Sequence, residues 1–195
     1  MNELGQPLPD PRFDELRLTL RQRLEQLVTE IRPAGLGQLL DTTLGQVLAD
    51  GFQQSGAHEG TLWWLEGEDL VPAFNTGPHA ERMVARFRQP LSSGLICMVF
   101  ATEQPFIENA VHNNTRQSKL LDQLLQVQTW ALMAVPFVLL GACRGVLSCV
   151  QLKRASSEQP DPPGFGNQQL AALQKTASLV SGLLEFKLLS QVLGW

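Results

Sequence analysis

Residues 130–153 read WALMAVPFVLLGACRGVLSCVQLK. Trp130 to Val138 has little polar content, Leu139 to Arg144 contains Gly141, and Gly145 to Leu152 is apolar again. Two such runs about a glycine predict antiparallel strands joined in a hairpin. Pro136 cannot donate a ladder hydrogen bond, so it is expected at an edge or a bulge. The longest apolar run, Ala131 to Cys143, is too short to span a bilayer and is interrupted by Pro136 and Gly141.

Downstream, ASSEQPDPPG at 155–164 reads as a proline-rich surface loop. A long helix is then expected from Asn167 to about Val192. It carries one apolar stripe at Leu173, Ala177, Val180, Leu184 and Leu188, and another at Leu179, Leu183, Phe186 and Leu193. Packing against one sheet needs a single stripe. The second implies another helix, from this chain or from a second subunit.

Upstream, ENAVHNNTRQSKLLDQLLQVQ (108–128) is polar in its first half, and its leucines predict a short helix in the second. Pro105-Phe106-Ile107 reads as a short extended piece. Ser92 or Ser93 can cap a helix from Gly94 to Thr102, and a short helix is expected from His79 to Phe87. Thr61–Leu65 and Leu70–Phe74, about the turn Glu66-Gly67-Glu68-Asp69, predict another hairpin. Helical spacing runs through Phe13, Leu16, Leu20, Leu24, Leu27 and Ile31. After Pro33, Gly35 and Gly37 it resumes as one helix through Leu36, Leu40, Leu44, Val47 and Leu48, ending near Ser55-Gly56. Residues 1–12 are expected to be a flexible tail. Residues 13–195 are expected to form one domain, with a leading helix (13–33), a core (36–188) and a closing helix (167–193). This order predicts an α+β fold: a central antiparallel sheet with terminal helices on one face and a helix/loop lid on the other.

Composition narrows the function. Of 195 residues, 44% are hydrophobic and 17% charged, an ordinary globular balance. The net charge of −4 includes no block of Lys or Arg, so no nucleic-acid partner is expected. The N-terminal arginines interleave with acids as a solvated face. Three cysteines, Cys97, Cys143 and Cys149, are no disulfide framework. With no signal peptide opening the chain, a reducing, cytoplasmic location and no membrane partner are expected.

The segments resemble a GAF domain, a fold related to PAS. GTLWWLEGEDLVPAF (60–74) is similar to the family's first two strands. PLSSGLICMVFATEQPFIEN (90–109) resembles its glycine turn, short helix and small strand. Residues 130–153 resemble its central hairpin, with "AVP" and "GVL" about the glycine turn. FGNQQLAALQKTASLVSGLLE (165–185) resembles its closing helix. The resemblance implies either a ligand pocket between sheet and lid, or a dimerising element without ligand. Fold alone does not decide between them. Of the family's cyclic-nucleotide signature only Lys153 and Phe165 match; Leu152 and Gln169-Leu170 depart from it. No cysteine has a neighbouring histidine of the kind that accompanies bilin attachment. One GAF branch reduces free methionine-R-sulfoxide with cysteines. It resembles Gly-Val-Cys-Gly where this chain has Gly94-Leu95-Ile96-Cys97, so Cys97 is turned by about 100° on a helix. No cysteine lies in 108–128, and structural thiols are the expected reading.

The candidate ligand contacts are Glu108, Asn109, His112, Asn113, Asn114, Thr115 and Arg116 in the lid, over a floor of Trp64, Phe74, Trp130 and Met133. The competing reading is a solvated loop whose Asn and Thr residues make turns. No cofactor or metal is expected: His58, His79 and His112 are far apart, and no phosphate loop occurs. Three functions stay open. The first is a non-enzymatic sensor binding a small effector or a protein partner in trans, as a homodimer through its terminal helices. The second is a methionine-sulfoxide reductase, and the third a ligand-free dimerisation scaffold. No kinase, cyclase or DNA-binding segment lies in the chain, so output is expected in trans.

Overall fold

The computed structural model describes residues 11–153 and 160–195. A 3-10 turn at Pro11–Phe13 leads into α1 (Asp14–Glu30). Asp14 and Glu15 face the positive end of the α1 dipole, and Arg21 pairs with Glu25 one turn on at 2.9 Å. Then come α2 (Pro33–Leu39), α3 (Thr42–Gln54), β1 (Glu59–Glu66), β2 (Asp69–Asn75), α4 (Ala80–Met83), β3 (Gln89–Pro90) and α5 (Leu95–Thr102). The rest are β4 (Phe106–Glu108), a 3-10 turn at Val111–Asn113, α6 (Leu120–Leu125), β5 (Gln128–Leu139), β6 (Ala142–Lys153) and α7 (Asn167–Leu193).

The six strands form one sheet in the order β3-β2-β1-β6-β5-β4, with antiparallel neighbours throughout. This is the expected α+β architecture. The central hairpin is longer than the sequence implied. Leu139 pairs with Ala142, leaving only Leu140 and Gly141 in the turn. Their φ values, 52° and 76°, are both left-handed, the geometry that matches the strand twist. Apolar Leu139 and Cys143 thus belong to the ladder. Pro136 sits in β5 beyond the three residues that β4 pairs, next to a register shift at Phe137/Val138, as a residue without an N–H requires.

Two further expectations change. Residues 36–55 form two helices, because Asp41 caps a new one by accepting from the Leu44 N–H at 3.0 Å. The apolar spacing runs through this break because both helices press on the same core. The helix expected from His79 to Phe87 is only Ala80–Met83, ending where Ala85 adopts φ 57°. The tail at 1–12 falls outside the described residues except for Pro11 and Arg12, as does the first half of the 155–164 loop, residues 155–159.

Strands β1, β5 and β6 each serve two cores, because successive side chains point to opposite faces. Leu62, Trp64, Met133, Phe137, Leu147 and Cys149 pack with α2, α3 and the first stripe of α7. Trp63, Leu132, Ala134 and Val146 pack on the other face with Met83 of α4, Ile96 and Val99 of α5, and Leu125 of α6. The Trp64 indole donates to the Ile31 carbonyl at 3.1 Å, tying β1 to the end of α1. Lys187 of α7 donates to the Leu39 carbonyl at 3.0 Å and to Asp41 at 2.7 Å, fixing the closing helix to the α2–α3 joint. The second stripe of α7 stays exposed at Leu179, Leu183, Phe186 and Leu193, although α1 packs against α7. No helix among the described residues is long and apolar enough to cross a membrane.

Candidate functional site: a cavity under the lid

Between the sheet and α4, α5 and α6 lies a cavity of about 60 Å³. That is room for about four to six waters, or the body of a small metabolite. Its floor is the lid-facing set of β1, β5 and β6: Thr61, Trp63, Thr129, Leu132, Ser148 and Val150. Thr61 and Ser148 are cross-strand partners. The Trp63 indole donates to the Ser148 hydroxyl at 2.8 Å, and Asn75 donates to the Thr61 hydroxyl at 2.9 Å. Leu95, Ile96, Leu121 and Leu125 form the apolar walls. Buried Gln89 closes the loop before α5 by donating to the Ser93 carbonyl at 2.9 Å. Gly94 (φ 105°) then starts α5 in a conformation that a side chain would strain.

Two carboxylates reach the lining, Glu59 and Asp122. Asp122 latches the lid to the sheet, accepting from the Thr129 N–H at 3.0 Å and the Thr129 hydroxyl at 2.7 Å. Arg82 adds a tie from α4 to the Leu124 carbonyl at 3.0 Å. Glu59 is 7% exposed at the head of β1. Burial raises its pKa, partly offset by His79, Asn75 and His58. Its carboxylate occupies the space beside Gly77 that a Cβ would fill, 2.1 Å from one oxygen.

Asp122→Ala would leave a buried N–H and a buried hydroxyl on Thr129 without partners. We expect a loss of about 1–3 kcal/mol in a urea melt, with faster amide exchange confined to 117–128. Unchanged exchange there would contradict the latch.

The expected floor does not line this cavity. Trp64, Phe74 and Met133 pack on the helix side of the sheet, one residue out of phase with the floor. Both faces of these strands are buried, so their apolar run carries no alternation to fix which side faces the lid. Trp130 falls at a register shift between Thr129 and Ala131. Its ring stacks on His112 at 4.4 Å and carries the Lys153 ammonium at 4.7 Å.

The expected lid contacts are also elsewhere. Glu108 accepts from the Ala110 N–H at 3.0 Å and from Asn114 at 2.8 Å. These bonds lower its pKa, the Asn114 one most. Asn109 clamps Phe165 through two bonds of 2.7 and 3.0 Å. Asn114 makes a turn with the Arg116 N–H at 2.9 Å. Asn113, Thr115 and Arg116 are exposed. The lid half that does line the cavity is Gln117, Ser118, Leu121, Asp122, Leu125 and Val127. The sequence does carry a signal for the residues that line this cavity. Glu59, Thr61, Thr129 and Ser148 are polar residues inside apolar strands, and all share the lid side.

The thiols are held protonated. Burial pushes Cys97 up to about 11, with Asp69 adding, and its S–H donates to the Pro90 carbonyl at 3.3 Å. Burial also raises Cys143 and Cys149. Cys97 lies in the lid-side core and Cys149 in the helix-side core, with the sheet between them. No group of three or more metal-ligating side chains gathers among the described residues.

Comparison with solved structures finds the same fold. The GAF domain of a phosphoenolpyruvate-protein phosphotransferase from Coxiella burnetii aligns with TM-score 0.63 at 17% identity, covering 91% of this chain and 95% of that one. Free methionine-R-sulfoxide reductase from Neisseria meningitidis aligns with TM-score 0.58 at 18% identity, covering 98% and 99%. A GAF domain/HD domain protein from Geobacter sulfurreducens aligns with TM-score 0.56 at 17% identity, covering 81% and 98%. A search of the curated proteins returns no match. GAF domains are generally sensor or regulatory modules, though reductases share the fold. The GAF domain family model matches residues 39–184. Since that span takes in every strand, the whole lid and most of the closing helix, the chain belongs to the GAF domain family.

Proposed function

We propose that this domain is a non-enzymatic sensor, which holds a small effector in the cavity under the lid and passes its state on through the terminal helices. The cavity carries the reading. It is lined by polar groups set in an apolar shell, which is how small-molecule sites are built. Its outer wall is a lid held by a few hydrogen bonds, so lid position and occupancy can be coupled. A catalytic reading by thiol chemistry needs a thiolate and a second sulfur in reach. The raised thiols and the separation of Cys97 from Cys149 favour the non-enzymatic reading.

The output surface we assign to a second copy of the chain. Leu179, Leu183 and Phe186 follow one another at steps of four and three along the open side of α7, and Phe186 is 66% exposed. Phe13, Leu16 and Leu18 are exposed at the start of α1. An apolar row on the last helix, with exposed apolar side chains at the start of the first, suits a helical bundle between subunits. Light scattering coupled to size exclusion is expected to give the mass of two chains for the wild type and of one for Phe186→Glu. A wild-type monomer at tens of micromolar would reject the dimer. Ligand binding is tested separately by native mass spectrometry of protein purified from cells, where a bound small molecule is expected.

A further inference from the structure

The charge of the cavity restricts what can enter it. Nineteen residues line it, Glu59 and Asp122 among them, and none is a lysine, arginine or histidine. An anionic ligand would meet negative charge across an apolar gap with nothing to offset it. Asp122 has both oxygens engaged by Thr129. Glu59 differs: it forms no ion pair with a lysine or arginine among the described residues. His58, His79 and Asn75 lie near enough to ease its burial, but desolvation prevails. A carboxylate kept from water with so little compensation is unfavourable for the fold alone. Even so, the backbone leaves room for it, since Gly77 gives up the volume its carboxylate fills.

We propose that the cavity takes a small ligand with a protonated amine on an apolar body, its ammonium seated on the Glu59 carboxylate and its body against Leu95, Ile96, Leu132 and Val150. The assignment rests on the ligand-binding reading above and adds the ligand's charge class to it. An ammonium supplies a full counter-charge at contact distance and adds donors to the one that Asn75 offers Glu59. Thr61 and Ser148, whose hydroxyls already accept from Asn75 and Trp63, keep lone-pair capacity for further donors. A metal ion fits less well, because no cluster of ligating side chains surrounds Glu59 among the described residues.

The test uses three probes of matched size, n-butylammonium, 1-butanol and butyrate, on the wild type and on Glu59→Gln. Isothermal titration and thermal shift are expected to show butylammonium binding the wild type at least tenfold more tightly than either other probe. Glu59→Gln is expected to lose that preference. The variant is expected to fold, because its amide carries no charge to desolvate, and its Tm at pH 7 is expected to rise above that of the wild type. The sign follows from the raised Glu59 pKa. The wild type loses stability as pH climbs through that pKa, so the variant's advantage vanishes below the ordinary carboxylate range. Butanol or butyrate binding as well as the amine, or an undiminished amine response in Glu59→Gln, overturns the charge assignment and leaves the ligand-binding reading standing. A native ligand without a basic nitrogen does the same. No probe binding, together with empty protein from cells, overturns both.

Discussion

Gly145→Ala is expected to cripple the fold, with a cost at or above the top of the ~1–3 kcal/mol range for overpacking and much of the protein insoluble. A Cβ at Gly145 would lie 1.9 Å from the Trp63 carbonyl oxygen and 3.3 Å from the Trp64 Cα. Those atoms are the backbone of β1, the strand to which β6 is hydrogen-bonded. No rotamer change relieves the clash, and the strands cannot part without losing the ladder between them. The position also lies beside the register shift at Phe137/Val138, where the sheet has little slack. Gly182→Ala is the control. It stands inside α7 with nothing within 4 Å of the added methyl, and should stabilise by roughly 0.5–1 kcal/mol. Denaturant melts of the two variants check both signs. A Gly145→Ala protein as stable as the wild type would show that the strand spacing at this point is misplaced.

Trp63→Ala is expected to cost about 3–5 kcal/mol. Its side chain is 4% exposed, packs edge-on against Phe87 with ring centroids 6.2 Å apart, and holds the Ser148 hydroxyl. Two contributions can be separated. Trp63→Phe keeps most of the apolar volume and removes the N–H, so it should cost about 1–3 kcal/mol for the partner lost by Ser148. The remainder belongs to the hole. Because that hole would open on the existing cavity, free indole should raise the Tm of Trp63→Ala and leave the wild type unchanged, as an apolar void accepts an apolar guest. Absence of rescue, in a variant that remains folded, would argue that the lid collapses onto the gap.

How much of this was legible in the sequence varies by element. The central hairpin was, because a glycine between two apolar runs admits few alternatives. The closing helix was as well: its first stripe, Leu173 to Leu188, is buried as its spacing requires. The break at Leu40-Asp41 was missed because Leu36, Leu40, Leu44 and Leu48 all enter one core and their spacing hides the joint. The Asp-Thr-Thr cap that marks it lay in plain view. The site was less legible than the fold. Counting along a strand buried on both faces leaves its phase undetermined, so the sequence does not distinguish Trp64 and Met133 from their neighbours Trp63 and Leu132, which line the cavity. The asparagine-rich lid is ambiguous for another reason. Short polar side chains resemble ligand contacts in sequence, yet Asn109 spends its hydrogen bonds on the Phe165 backbone, and Asn114 divides its own between Glu108 and the Arg116 N–H.

Trp63 and Trp64 are consecutive residues on opposite faces of β1, one lining the cavity and one bonded to the Ile31 carbonyl just past the end of α1. Any roll of that strand about its own long axis must therefore swing the two indoles in opposite senses. A guest that tips Trp63 outward drags the far end of the same lever across the carbonyl at Ile31. The wall between the compartments is a single sheet thick, and a turn imposed on one side would have no second layer in which to be absorbed.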